Sequence, residues 1–322
     1  MNSPRYLIPG GALTVLIVLP FLVSPFHMDL AIRILILALL ALSLDLLVGH
    51  AKMISLGHAA FFGIGAYTMA LLVDKGGIAP LFAVPLSVLG AVVAAALVGF
   101  LAVRTWGIYF VLITLAFSQA FYYLVHDSTF TGGSDGVVLM ERGSYDLFGI
   151  AILNLDNERQ FYFFVLALIA AFIAFLYVLI RSPFGQIVKG IGLNAPRLES
   201  VGFDSKTYAL TAFVIAGGGA GLAGYLFALH QMFADPTLLS WHMSGQILIM
   251  LVLGGSGTLV GPVLGAVLIT LLEEYLGTYT SNWKFFLGIM LVLFVLRVRG
   301  GAWPWIAARA ENLKRRDGEA RP

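Results

Sequence analysis

The chain has 322 residues, 60% hydrophobic and 11% charged, with no cysteine, a formal net charge of +2 and a mean hydropathy of +0.94. That composition leaves no room for a soluble domain and places the chain in the membrane class. The small basic excess, carried by loops and by Arg309, Lys314, Arg315 and Arg316, suits an anionic inner leaflet rather than nucleic acid, and without cysteine there is no disulfide framework, thiolate metal site or cysteine nucleophile.

A helix needs about 20 mostly apolar residues to cross roughly 30 Å of hydrocarbon. Runs of that kind fall at 7–24, 30–48, 53–73, 78–102, 106–125, 161–180, 207–230, 239–254, 259–276 and 284–299. The first follows Arg5, contains Pro9, Gly10 and Gly11 and has no small-x-small cleavage site, so it reads as a span and not as a signal peptide. The stretch from Gln246 to Leu272 is too long for one span, and Gly254-Gly255-Ser256-Gly257-Thr258 divides it. The expected architecture is an all-α polytopic membrane protein of about ten transmembrane helices; a re-entrant hairpin at the division leaves eight or nine.

Lys and Arg mark cytoplasmic loops. Arg5, the His50–Lys52 turn, Arg104 and the 181–206 segment alternate with loops at 25–29, 74–77 and 126–160. The last carries Asp127, Asp135, Glu141, Asp146, Asp156 and Glu158 against Arg142 and Arg159. The basic set is therefore expected inside and the 126–160 loop outside, with both termini cytoplasmic. Residues 1–300 form a single transmembrane domain and 301–322 a basic tail.

Intramembrane ionisable groups are expensive and mark function or pairing. Arg33, Asp45, His58, Glu273 and Glu274 are the candidates. Arg33 can snorkel, Glu273 and Glu274 lie near an external end, and Asp45 has His50 and Lys52 as neighbours for an ion pair. No HExxH or paired intramembrane aspartate is present, so no catalytic, metal or cofactor-binding residue is assigned. The phosphate loop GxxxxGK[ST] is also missing, so any ATP must be bound by another chain. An ion-coupled carrier is the alternative class; the Gly254–Gly257 break would serve it, although no carboxylate accompanies the break.

Small residues recur at four-residue spacing: Ser55, Ala59 and Gly63; Gly217 and Gly221; Ala220 and Gly224; Gly257, Gly261 and Gly265. Such stripes let helix backbones approach in lipid. They serve either ordinary packing or a face toward a partner or a translocation path.

The polar segment Arg181–Ser205 has helical grammar. Pro183 restarts the chain, and Phe184, Ile187, Val188 and Ile191 recur at helical spacing, weakened by Gly190 and Gly192. Asn194 suits an N-cap, Pro196 the first turn and Gly202 a helix end, which predicts a short surface helix over 195–201. Leu198, Val201 and Phe203 would form an apolar knob among Arg197, Glu199 and Ser200, shaped either for a groove on another protein or for the bilayer surface.

Six stretches, SLGHAAFFGIGAYT (55–68), GIYFVLITLAFSQ (107–119), TGGSDGV (131–137), RSPFGQIVKGIGLN (181–194), VGFDSKTYALTAFVIAGGGAGLAG (201–224) and LGGSGTLVGPVLGA (253–266), resemble the LivM-type permeases of bacterial branched-chain amino acid ABC importers. They run in family order across most of the chain. The resemblance implies a non-catalytic, multi-pass permease subunit of the bacterial inner membrane. Its partners would be a LivH-like second permease, two cytoplasmic ABC ATPases and a periplasmic substrate-binding protein. It makes 181–206 the coupling loop, with Asn194, Arg197, Leu198, Glu199, Val201, Gly202 and Phe203 at the ATPase and Gly202 matching the glycine of the docking motif. Gly63, Tyr67 and Gly218 become candidates for the translocation path, and Gly133 and Asp135 for binding-protein contact. The sequence departs from the family in having Asp45 where asparagine is frequent, Lys52 where glycine is common and Glu199 in an alanine-rich stretch. Related permeases for urea and short amides share much of the pattern.

Overall fold

The computed structural model describes residues 16–309 apart from 141, 143, 148, 149, 280, 281 and 299. Arg5, Glu141, most of the first predicted span and the tail beyond 309 lie outside the described residues; of that span, 16–22 is helical. Ten further helices follow: α1 Pro25–Asp45, α2 His58–Asp74, α3 Pro80–Ala102, α4 Ile108–His126, α5 Glu158–Arg181, α6 Pro183–Ser200, α7 Ser205–Gln231, α8 Trp241–Gly254, α9 Gly261–Tyr279 and α10 Trp283–Arg297. Another helix covers 302–309. A polytopic helical protein is what the apolar runs predict, since hydrocarbon forces every backbone polar group into internal hydrogen bonds.

Five of these segments have the length and apolarity of a membrane span: α1 with its continuation to Ala51, α3, α4, α5 and α7. The shorter α8, 14 residues and so about 21 Å long at 1.5 Å per residue, is preceded by a 3-10 turn, Pro236–Leu239. The expected span at 53–73 starts only at His58 because the chain before it is taken up otherwise. α1 runs on into a single π-helical turn, Leu46–Ala51, which ends at Lys52 with φ 57°.

α7 is the central post of the bundle. Its glycine and alanine face replaces side-chain bulk with backbone contact, the main source of helix association where lipid offers no hydrophobic drive. A Cβ on Gly224 would stand 1.8 Å from the Phe62 carbonyl oxygen of α2, and one on Gly221 2.3 Å from Ala91 Cβ of α3. The 217/221 and 220/224 stripes are therefore packing faces inside this chain. Gly254 and Gly265 do the same between α8 and α9, where added Cβ atoms would meet the carbonyls of Gly261 and Met250 at 1.8 and 1.7 Å. α1 is buried nearly all round from Leu35 onward, while α3, α4 and α5 turn Phe82, Leu97, Leu124 and Val178 outward.

One end of the bundle carries an ordered cap with short strands, which the all-α expectation omits. β1 Val137–Val138 pairs antiparallel with β4 Phe233–Ala234, in the register 137 with 234 and 138 with 233. β2 Ser144–Leu147 forms a hairpin with β3 Ile150–Asn154. Arg142 ties this loop to the C-terminus of α7, donating to the carbonyls of Leu229 (3.2 Å) and His230 (3.0 Å), where a cation also complements the helix dipole. The opposite end carries α6.

Candidate functional site

The polar segment 181–206 folds as two helical pieces joined at a kink. Ser182 caps the first, accepting from Gly185 N at 3.3 Å with Pro183 at the first position. At Asn194 the backbone leaves helical geometry (φ −165°, ψ 91°), and its Oδ1 accepts from Arg197 N at 3.1 Å. Asn194 is thus the predicted N-cap, a bond worth about 1 kcal/mol to the short helix it starts. The end is equally defined. Phe203 N donates to Leu198 O and Gly202 N to Glu199 O, at 3.2 and 3.0 Å, with Gly202 at φ 96°. This paired closure needs a left-handed residue, and glycine adopts that conformation without a Cβ penalty.

The apolar knob differs from the expected one. Leu198 turns inward onto Gly190, whose added Cβ would lie 2.9 Å from Leu198 Cδ1. Gly190 therefore accommodates the returning helix instead of breaking the first one, and Leu198 is withdrawn from the exposed set. Leu193, directly before the N-cap, is 85% exposed, and Val201 and Phe203 at the other end of the short helix are exposed at 70% and 39%. A signal for it exists: an apolar residue directly before an N-cap, five positions ahead of another apolar residue, is the hydrophobic staple pattern. Here the second member, Leu198, finds a glycine first. Arg197 is exposed, and Glu199 accepts a short hydrogen bond from Ser205, so its partner lies within this chain.

The kinked helix is held to the post. Tyr208 of α7 is flanked by Phe184 (centroids 5.8 Å apart) and Phe203 (6.3 Å, edge-on), one from each half of the segment. Asp204 caps α7, accepting from Lys206 N at 3.1 Å and from the Thr207 hydroxyl at 2.5 Å. The Thr207 hydroxyl, followed by the backbone amides and Lys206, holds this exposed carboxyl below the usual aspartate range.

The three path candidates do not share one face. Gly63 faces Leu239, with an added Cβ 2.3 Å from Leu239 Cγ, and Tyr67 lies one turn further along α2, buried, its hydroxyl without a hydrogen-bond partner among the described residues. Gly218 of α7 instead meets Val92 of α3 at 3.0 Å. Leu239 reaches Gly63 because the 235–240 segment folds back into the bundle: Asp235 caps its 3-10 turn through Thr237 N (2.7 Å), and Ser118 of α4 donates to the Leu239 carbonyl at 2.8 Å. That depth is invisible to a hydropathy window.

In the cap, the TGGSDG stretch is a set of turns. Gly132, Gly133 and Gly136 have φ of 81°, 60° and 71°, and the buried Thr131 hydroxyl donates to Val125 O at 2.6 Å. Asp135 is exposed and Gly133 half-buried.

The buried ionisable groups resolve into local pairs. Arg33 Nη2 lies 3.3 Å from Glu273 Oε2, and Gln246 donates to the other oxygen of Glu273. His58 Nε2 is 2.7 Å from Ser43 Oγ, which donates to Leu40 O. Asp45 accepts from Gly257 N at 2.7 Å, with His50 Nδ1 3.8 Å from its other oxygen. Lys52, where the resemblance calls for glycine, occupies the left-handed conformation that glycine favours.

Comparison with known proteins matches residues 27–295 to the family described as branched-chain amino acid transport system / permease component. The high-affinity branched-chain amino acid transport system permease protein LivM of Escherichia coli is 30% identical over 328 residues, covering 92% of this chain and 77% of its own length. LivM of Salmonella typhimurium is 28% identical over 353 residues, 100% of this chain and 82% of its own. The autoinducer 2 import system permease protein LsrC of Salmonella paratyphi B is 30% identical over 139 residues, 41% and 39% of the two lengths. No solved structure matches the chain. With a family model spanning most of a polytopic helical bundle, the chain belongs to the branched-chain amino acid transport system permease family.

Proposed function

We propose that the chain is the permease subunit of an ATP-driven importer for branched-chain or related amino acids delivered by a periplasmic binding protein. In this reading it crosses the bacterial inner membrane about ten times with both termini cytoplasmic, beside a LivH-like second permease, and two ABC ATPases dock on the α6 end. The observation that carries it is a rigidly capped helix, 195–200, presenting Leu193, Val201 and Phe203 at the basic end of a chain with no phosphate loop. An apolar knob of this size suits a groove on a partner. Arg197, Lys206, Lys189 and Lys52 around it favour an acidic groove rim.

The stroke has a physical route. Closure of the ATPases displaces 195–200; the Asn194 cap and the 198–203 closure make that piece move as a unit, the Phe184–Tyr208–Phe203 contact passes the displacement to α7, and α5 is joined to α6 directly through Ser182. α7 is in backbone contact with α2 and α3, so the displacement shifts their packing and alternates access. The path candidates Gly63 and Tyr67 sit on α2, and the exposed Asp135 turn is offered to the binding protein. Reconstitution of the complex in proteoliposomes tests the reading: uptake of leucine should need ATP inside and the binding protein outside. Uptake by this chain alone under an ion gradient would assign it to the carrier class instead, and transport of urea or short amides in place of amino acids would correct the substrate.

A further inference from the structure

Between α6 and the broken pair α8/α9 lies the π-helical turn 46–51, and both of its sides are closed by glycines. A π turn carries one extra residue per turn, is rare, and recurs at functional sites. This one is fastened to Leu47, whose carbonyl accepts from the amides of Lys52 and Met53. On the α6 side, a Cβ on Gly192 would lie 2.8 Å from Lys52 Cγ and 2.9 Å from His50 O, with Val188 and Ile191 of the same helix buried. On the other side, a Cβ on Gly49 would lie 2.1 Å from Asp45 Oδ1 and 2.4 Å from Gly257 N.

Asp45 spans that second contact. It is 2% exposed, and its Oδ1 accepts from Gly257 N at 2.7 Å. Its Oδ2 makes no hydrogen bond among the described residues; His50 Nδ1, at 3.8 Å, also reaches the Asp45 carbonyl at 3.2 Å. Gly257 (φ 81°) and Gly255 (φ 106°) form the break between α8 and α9, and Gly255 is backed by Gly300 O and Pro304 at 2.9 and 2.7 Å from an added Cβ. Gly192 meets the backbone of His50 and Ala51 as well as the Lys52 stem, Gly49 meets the Gly257 amide, and the buried Asp45 carboxylate bonds to that amide; close-packed contacts of this kind transmit strain.

We infer that Asp45 is a positioning residue for transport: its hydrogen bond to the Gly257 amide carries movement of the coupling segment to the hinge between α8 and α9. The inference rests on the importer reading. It requires an acceptor at this position and not a charge. Asparagine, whose Oδ1 faces the same amide, therefore substitutes for aspartate, whereas alanine does not.

The test uses the complete complex in proteoliposomes, reading binding-protein-stimulated ATP hydrolysis and substrate uptake in parallel. The chain has no cysteine, so Ser256→Cys, at an exposed position in the hinge, adds a thiol-labelling readout of hinge movement on ATP binding. Asp45→Asn should retain uptake per ATP and the ATP-dependent change in labelling. Asp45→Ala should keep stimulated hydrolysis but lose uptake by about tenfold or more, a typical size for a coupling term, and lose the labelling change. Where the alanine variant does not assemble, Asp45→Ser, too short to reach the Gly257 amide, gives the same readouts. Uptake per ATP unchanged in these variants, or hydrolysis and uptake falling together with labelling intact, overturns the inference. Wild-type uptake that needs no ATP would instead remove the importer reading beneath it.

Discussion

Arg33 of α1 and Glu273 of α9 form an ion pair at 3.3 Å, completed by Gln246 of α8. One contact thus joins α1 to the consecutive helices α8 and α9, with 240 positions between Arg33 and Glu273. Removing one partner strands the other charge in a low-dielectric site, which costs several kcal/mol when the pair is fully buried and less where, as at Arg33, a third of the side chain is exposed. Arg33→Leu should lower stability in detergent by about 2 kcal/mol. The double variant Arg33→Leu/Glu273→Gln should recover much of that loss. Thermal unfolding of the four-member cycle checks it; a double variant no better than the single one would mean the pair is not the stabilising unit.

Glycine positions provide a graded series. Gly224→Ala forces a Cβ to within 1.8 Å of the Phe62 carbonyl oxygen, so α2 and α7 must separate, at a cost of about 2 kcal/mol or more. Gly218→Ala meets Val92 Cγ2 at 3.0 Å, which a rotamer adjustment relieves, and Val88 Cγ1 at an ordinary 3.8 Å, so its effect should be small. Gly245→Ala meets nothing within 4 Å and should stabilise α8 by up to about 1 kcal/mol through helix propensity. The order of melting temperatures, 245 above 218 above 224, is the measurement.

Lys52 ends the π turn with φ 57°. A left-handed residue with a Cβ costs roughly 1–2 kcal/mol, partly offset by the backbone entropy glycine loses on folding. Lys52→Gly should therefore be neutral or mildly stabilising, and Lys52→Val, with a branched Cβ, clearly destabilising. Unfolding of the two variants under one set of conditions separates them.

The Asp204 cap gives a pH dependence. Its carboxyl titrates lower folded than unfolded, so its contribution is fully present above the ordinary aspartate pKa of 3.8 and is lost as pH falls through the lower folded value. Acid below that point should loosen the start of α7. In Asp204→Asn, which keeps an oxygen acceptor for the Lys206 amide, that component should vanish; hydrogen exchange at 205–208 as a function of pH measures it.

Local chemistry was legible in the sequence and distant chemistry was not. Asn194, Pro183 and Gly202 announce themselves because a cap, a first-turn proline and a helix-ending glycine act over three or four residues. The apolar runs announce spans for the same reason. The half-burial of Leu198 is not legible because its inward turn depends on the space above Gly190, a contact between two helical pieces. The strands 137–138 and 233–234 are two residues each, too short for any alternation to register. The Asp45–Gly257 bond and the burial of Leu239 join residues separated by the whole bundle, and no window over the sequence contains both partners.

The most direct test of the central claim is ATP-driven leucine uptake by the complete complex carrying Val201→Asp, with binding-protein-stimulated ATP hydrolysis read in parallel. Val201 is 70% exposed and joins the helix end through its backbone amide, not its side chain, so the charge should leave insertion and thermal stability intact. Stimulated hydrolysis and uptake should both collapse, because the ATPases no longer seat on 195–203. Uptake at the wild-type rate would contradict it.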